Sequence, residues 1–244
     1  MASAEDYDDL VNYASLPAET EAEVAALARL ARGGRVLELG VGTGRVAIPL
    51  AGMGLEVHGI ELDPAMAEQL RNKTGGELVR MHLGDMAEVE VEGSFDLVYA
   101  VFGTFFALLT QDAQVRCFRN IAARLSSGGR FVIEALMPQP GTYTERRKVT
   151  VAAASDERVI INVSELDPLA QTIHTHQVVL GQDKVDIVPV HIRYSWPSEL
   201  DLMAQLAGLQ LVERWANWQQ EPFTVAHPRH ISIYSPRRRL DRKR

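Results

Sequence analysis

Cysteine is almost missing from this 244-residue chain: Cys117 is the only one. A lone thiol excludes an intrachain disulfide and a thiolate metal cluster. It stands in DAQVRCFRNIAARL, where Val115, Phe118, Ile121 and Leu125 form a helical stripe, and reads as an ordinary helix residue. Long apolar runs are missing too, since none approaches the roughly 20 residues of a membrane-spanning helix. The opening MASAEDYDDLVNYASLPAET has neither the positive nor the apolar region of a secretory signal. A soluble, cytoplasmic protein without a membrane partner is expected. Positive charge is scarce in the body. The net charge is -7, yet RRRLDRKR at 237–244 carries six positive charges and one negative, which leaves the preceding residues at -12. Such a body repels a phosphate backbone and argues against nucleic acid as a partner, while the basic tail reads as a frayed, solvated terminus.

What is present, 46% apolar and 23% charged residues, fits one globular domain with a sizeable core. Strand-like and helix-like segments alternate from Arg35 to Glu134, the mark of an α/β domain with a parallel sheet. The strands are RVLELG, LEVHGIEL, ELVRMHLGD, SFDLVYAVFG and RFVIEALMP; the helices between them include DPAMAEQLRNKTGG, opened by Asp63 and Pro64. After Pro140 four β-branched runs follow one another, which predicts antiparallel pairing. PSELDLMAQLAG then returns to a helix, and LQLVERWANW and RHISIYSP close the pattern as two more strands. The expected organisation is a single domain: an N-terminal arm and helix over 1–33, an α/β core over 34–140, an antiparallel β insertion over 141–195 acting as a substrate lid or homodimer contact, the last helix and strands over 196–236, and the tail.

The stretch RVLELGVGTGRVAIPL carries the chemistry. A dinucleotide fingerprint needs glycines at its first, third and sixth positions. Gly40 and Gly42 fit, but the sixth position is Arg45 and Gly44 falls one residue early. Glu38, two residues before the first glycine, would repel a pyrophosphate and welcome a cation. A ligand that is nucleoside-like, cationic and free of phosphate fits best.

ELGVGTG, Glu38 to Gly44, resembles the first motif of the class I S-adenosylmethionine-dependent methyltransferases. The resemblance implies a Rossmann-like, seven-stranded, mostly parallel sheet with helices on both faces, S-adenosyl-L-methionine as cofactor and S-adenosyl-L-homocysteine as product. It implies that Gly40, Gly42 and Gly44 pass under the methionine part, helped by Glu38. Glu61, at the end of strand two, stands where relatives hold the ribose, with Leu62 against the adenine. Asp85 and Met86 in GDM stand where relatives meet the adenine edge, and Ala100 to Phe102 border the reacting methyl. Tyr13, in the arm, stands where relatives fold a lid over the cofactor.

Relatives that modify amino groups in nucleic acid or protein often carry an Asn-Pro-Pro-Tyr type sequence after strand four, where this chain has AVFGTFF. That departure points to a small-molecule acceptor. The YDDLVNY start and the β-rich insertion are similar to actinobacterial natural-product methyltransferases, including those that dimethylate amino sugars. This resemblance favours nitrogen as the acceptor atom, with aromatic carbon and oxygen open. Candidate bases or positioning groups are His174, His176, His191 and Tyr194, and candidate pocket residues are Phe102, Phe105, Glu134, Tyr143, Arg193 and Trp196. His174 and His176 lack carboxylates at a metal-binding spacing, so no metal is expected. Two alternatives stand beside this reading: a catalytically degenerate fold serving as a ligand-binding or scaffold protein, and a nicotinamide-dependent oxidoreductase, which Glu38 and Arg45 disfavour.

Overall fold

The computed structural model describes residues 17–182 and 184–237, so the expectations for the arm, Tyr13 included, and for all but the first residue of the tail lie outside the described residues. Helix α1 (Pro17–Ala31) precedes β1 (Val36–Leu39), α2 (Ala47–Gly52), β2 (Val57–Glu61), α3 (Pro64–Asn72), β3 (Val79–Leu83), β4 (Phe95–Ala100), α4 (Gln111–Arg124) and β5 (Leu125–Leu136). The insertion supplies β6 (Arg147–Ala154), β7 (Val159–Asp167), β8 (Thr172–Leu180) and β9 (Val185–Arg193). Helix α5 (Pro197–Leu206), β10 (Leu209–Trp215) and β11 (Arg229–Pro236) complete the chain.

Seven strands form one sheet in the order β10-β11-β5-β4-β1-β2-β3, parallel except where β11 pairs antiparallel with β5 and β10. The chain runs outward from β1 to β3 on one side and from β4 onward on the other. The carboxyl ends of β1 and β4 therefore bound the crevice where ligands of open α/β sheets bind. β1 is buried along its whole length because both sheet faces are covered. On one face Leu37, Phe95, Phe118, Phe131 and Tyr234 pack with α4 and α5; on the other Leu27, Leu50, Leu97, Val132 and Trp215 pack with α1 and α2. Cys117 belongs to the first cluster, where burial pushes its thiol well above the ordinary range.

Local chemistry sets the ends of the elements. Asp63 caps α3 by accepting from the Ala65 N–H at 2.8 Å, with Pro64 in the first turn. Thr110 caps α4 in the same way. Two boundaries differ from the sequence pattern. β5 begins at Leu125 rather than Arg130, because Leu125 pairs with Phe95 and Ser126 donates to Asp96 Oδ1 at 2.7 Å. β10 stops at Trp215, before Trp218, because Asn217 Oδ1 accepts from the Gln219 and Glu221 N–H groups and turns the chain.

The insertion is a separate antiparallel sheet ordered β6-β7-β8-β9. Its inner face packs Leu166 and Ile173 into the first apolar cluster. No helix among the described residues is long and apolar enough to cross a membrane.

Candidate functional site

The loop after β1 turns on three left-handed glycines, Gly40, Gly42 and Gly44, at φ +64°, +55° and +87°. Only glycine takes such angles repeatedly without strain. Space forbids a side chain as well, since a Cβ on Gly44 would lie 2.9 Å from Ile48 Cδ1 and 3.0 Å from Leu70 Cδ1. Glu61, at the end of β2, fastens the loop. Its Oε2 accepts from the Gly42 N–H at 2.8 Å, and its Oε1 from Leu62 and Asp63 at 2.9 and 3.0 Å. Oε2, with one donor, retains acceptor capacity for a ligand hydroxyl. Beside it Leu62 leaves an apolar side chain 71% exposed at the crevice rim.

Behind the loop lies a cluster of buried carboxylates. Glu38 is 4% exposed and accepts the Tyr99 hydroxyl at 2.7 Å and the Ala47 N–H. Glu38 and Tyr99 are brought together by register, as cross-strand partners on β1 and β4. Burial pushes Glu38 up to about 8. Glu23, from α1, is held by both terminal nitrogens of Arg45 at 2.6 and 3.2 Å; burial still raises it, against the pull of that guanidinium. Glu134, near the end of β5, accepts from the Phe102 N–H at 2.8 Å and from the Trp218 indole. Arg229 reaches it at 3.4 Å and also pairs with Glu19. Burial first, then the charge of Glu23, pushes Glu134 up to about 7.

Three buried acids thus face Arg45 and the half-exposed Arg229. Three acids against two guanidiniums leave a deficit of counter-charge when all three ionise, and a cation over the loop relieves that deficit. The site fits a cationic ligand.

Phe102 is the strained element of the site. It adopts φ +57°, unusual for a bulky residue, and is followed by Gly103 at +74°. The Glu134 hydrogen bond holds this turn, leaving the Phe102 ring 44% exposed with the Arg45 guanidinium 5.6 Å from its centroid. Ala100 is fully buried beneath it. At the far side of the crevice Asp85 Oδ1 accepts from the Ala87 N–H, and Asp85 lines a cavity of about 110 Å³ with Ile60, Leu83 and Gly84. Met86 is partly buried against the core.

A second cavity, of about 230 Å³, opens between the exit of β5 (Leu136, Met137, Tyr143) and the inner face of the insertion (Lys148, Ser164, Thr175). Tyr143 is among its lining residues. Other candidates are placed elsewhere. Phe105 is fully buried, 5.4 Å from Phe118 and 6.4 Å from Phe131 between ring centroids, and is core rather than pocket. Arg193 is buried with its guanidinium spent on Gln114, Ser195, Gln171 and Glu199, an anchor between the insertion and α4 and α5. Trp196 stands at the start of α5, edge-on to Tyr194 at 6.1 Å, and packs on the core. Tyr194 is 2% exposed, and burial raises its phenol, which disfavours it as a base.

The histidines are corrected most clearly. His174 and His191 are cross-strand partners with rings 4.3 Å apart, and with His176 they are exposed. Ile173 and Thr175 alternate with them and face the cavity, so the three histidines project from the opposite face. Sequence reasoning had no local signal for Glu23, Tyr99, Arg229 or Lys148, and read Trp218 only as core.

Comparison with known proteins matches residues 36–129 to a family described as a methyltransferase domain. The structure is similar to that of the CcbJ methyltransferase from Streptomyces caelestis, with 38% identity, 96% of this chain and 95% of that one covered, and a TM-score of 0.89. The sequence is 27% identical over 197 residues to a cypemycin N-terminal methyltransferase from a Streptomyces species, covering 79% of each. The fold is also that of the S-adenosylmethionine-bound amino pentose methyltransferase CalS10 from Micromonospora echinaspora, at 20% identity, coverage of 95% and 96%, and a TM-score of 0.71.

Proposed function

The chain belongs to the class I S-adenosylmethionine-dependent methyltransferases of natural-product type, and from that membership we propose that it methylates an amine nitrogen of a small metabolite. The observation that carries the choice of nitrogen is the lining of the 230 Å³ cavity. Among the described residues that form it there is no His, Asp or Glu. A neutral amine attacks with its own lone pair, whereas an alcohol or phenol benefits from a base. The relatives' names support the same reading: one is named an N-terminal methyltransferase, and another is described as an amino pentose methyltransferase.

S-adenosylmethionine, the cofactor of this family, supplies the electrophilic methyl. The residues that would hold it are the Gly40–Gly44 loop, Glu61 with Leu62, and Asp85 with Met86. Glu38 and Glu134 supply the negative field that favours its positive charge. Phe102, fixed by Glu134, presents its ring beside Arg45 at the loop, where it would border the bound cofactor. The protein's remaining task is alignment: a nucleophile held in line with the methyl carbon reacts without further assistance.

We also infer that a second copy of the chain covers the outer face of the insertion. Val151, Ile161, Val178 and Ile187 form one continuous cross-strand row there, and Val149 and Val163 extend it. Val149 and Val151 are 66% exposed and Ile187 61%. Four strands of about nine residues present roughly 600 Å² per copy, which reaches the size of a specific interface when doubled.

The test of the acceptor reading is turnover with labelled S-adenosylmethionine against matched amine, phenol and alcohol acceptors of one carbon skeleton. Product from the amine alone supports nitrogen; a phenol or alcohol turned over at least as fast sinks it.

A further inference from the structure

We propose that the acceptor carries an anionic group, a carboxylate or a phosphate, and that Lys148 receives it inside the cavity between β5 and the insertion. The inference rests on the methyl-transfer reading and specifies the substrate of that same site.

Lys148 is the only charged side chain among the described residues that line this cavity. It stands on the inner face of β6, on one cross-strand rung with Ser164 and Thr175. Among the described residues it has no carboxylate partner; its ammonium lies instead 5.7 Å from the centroid of the Tyr143 ring. Other cations are paired with acids: Lys184 with Asp186, Arg116 with Glu88, Arg214 with Asp201. Arg124 and Arg130, also half-buried without an acid, donate to backbone carbonyls instead, whereas the Lys148 ammonium has neither kind of acceptor among the described residues.

The neighbours suit an anion. The hydroxyls of Ser164 and Thr175 are 2.9 Å apart; one donates to the other, and the second proton remains available to an incoming oxygen. Removing the ammonium from bulk water weakens its hydration, and an anionic group restores the lost interaction with a charge-assisted hydrogen bond.

The wider field gives the acceptor a direction. Glu38 and Glu134, on β1 and β5 by the glycine loop, carry negative charge once ionised against a bound cation, and Lys148, on β6, carries positive charge in the cavity wall. An acceptor with an amine at one end and an acid at the other is oriented by both, the amine toward the methyl and the acid on Lys148. A neutral amine gains nothing from the Lys148 charge.

Calorimetry on protein saturated with S-adenosylhomocysteine tests this with three probes: glucosamine, its uronic acid and its 1-phosphate. The wild type is expected to bind at least one of the two anionic probes tenfold or more tightly than glucosamine, and the tighter of the two identifies the group. Lys148→Met should erase the preference and Lys148→Glu reverse it, with affinity for S-adenosylhomocysteine unchanged in both. Equal affinities in the wild type, no binding of any probe, or a preference that Lys148→Met leaves intact overturns the proposal. Failure of the wild type to bind S-adenosylhomocysteine would instead count against the methyl-transfer reading.

Discussion

Glu38 makes cofactor affinity depend on pH in a way that can be worked out from its surroundings. With burial pushing the carboxyl up to about 8 in the free protein, roughly nine molecules in ten carry its proton at pH 7. The groups facing it are Tyr99 from β4, Glu23 from α1, Arg45 and the Ala47 N–H from beyond the loop; Glu134 and Arg229 complete the charged surroundings. A cation seated over the loop favours the ionised carboxylate, so binding below pH 8 releases a proton and tightens as pH rises. If binding requires the carboxylate, affinity for S-adenosylmethionine rises about 50-fold from pH 6 to pH 8, or ~2 kcal/mol, of which about fivefold falls between pH 7 and 8. Calorimetric titration in buffers of different ionisation heat reads both the slope and the released proton. Glu38→Gln keeps an acceptor for the Tyr99 hydroxyl but has no proton to lose. It should flatten the slope above pH 7, while Glu134, at about 7, leaves a shallower dependence below. The sign for folding follows from the same shift. A carboxyl raised from 4.5 contributes stability that is full below about pH 4.5 and lost as pH climbs through 8, so the free wild type should lose Tm across that window more steeply than Glu38→Gln. A wild-type affinity that is flat with pH, or a slope between pH 7 and 8 that Glu38→Gln leaves intact, refutes the reasoning.

Three further outcomes are expected. Glu61→Ala removes the acceptor of three backbone N–H groups, and calorimetry should show S-adenosylhomocysteine affinity falling by at least tenfold, with Glu61→Gln in between. Glu134→Ala releases the Phe102 turn and removes one acid of the cluster, and should lower kcat about tenfold or more while weakening S-adenosylmethionine binding; Glu134→Gln, which still accepts from the Phe102 N–H, should recover most of the kcat loss but not the affinity. Ile187→Glu places a charge in the exposed apolar row of the insertion, and sedimentation should then find a monomer where the wild type is a dimer; a wild type that is already monomeric ends that proposal.

The sequence by itself determined the cofactor half of this protein. Its signals are local: glycines at 40, 42 and 44 permit three left-handed turns in five residues without strain, and Glu61 and Asp85 are tied by covalent spacing to the ends of strands that alternation had already placed. Tertiary structure alone decided the rest. The acid cluster joins Glu23, Glu38 and Glu134 from three distant elements, and its raised acidities come from burial, which spacing cannot report. The cavity proposed for the acceptor depends on which face of the insertion turns inward. Alternation separates two faces but does not choose between them, because both are apolar: Ile160, Leu166 and Ile173 on one, Val149, Val151 and Ile187 on the other. Packing against the first apolar cluster made the choice. It put Lys148 in the cavity and left His174, His176 and His191 outside.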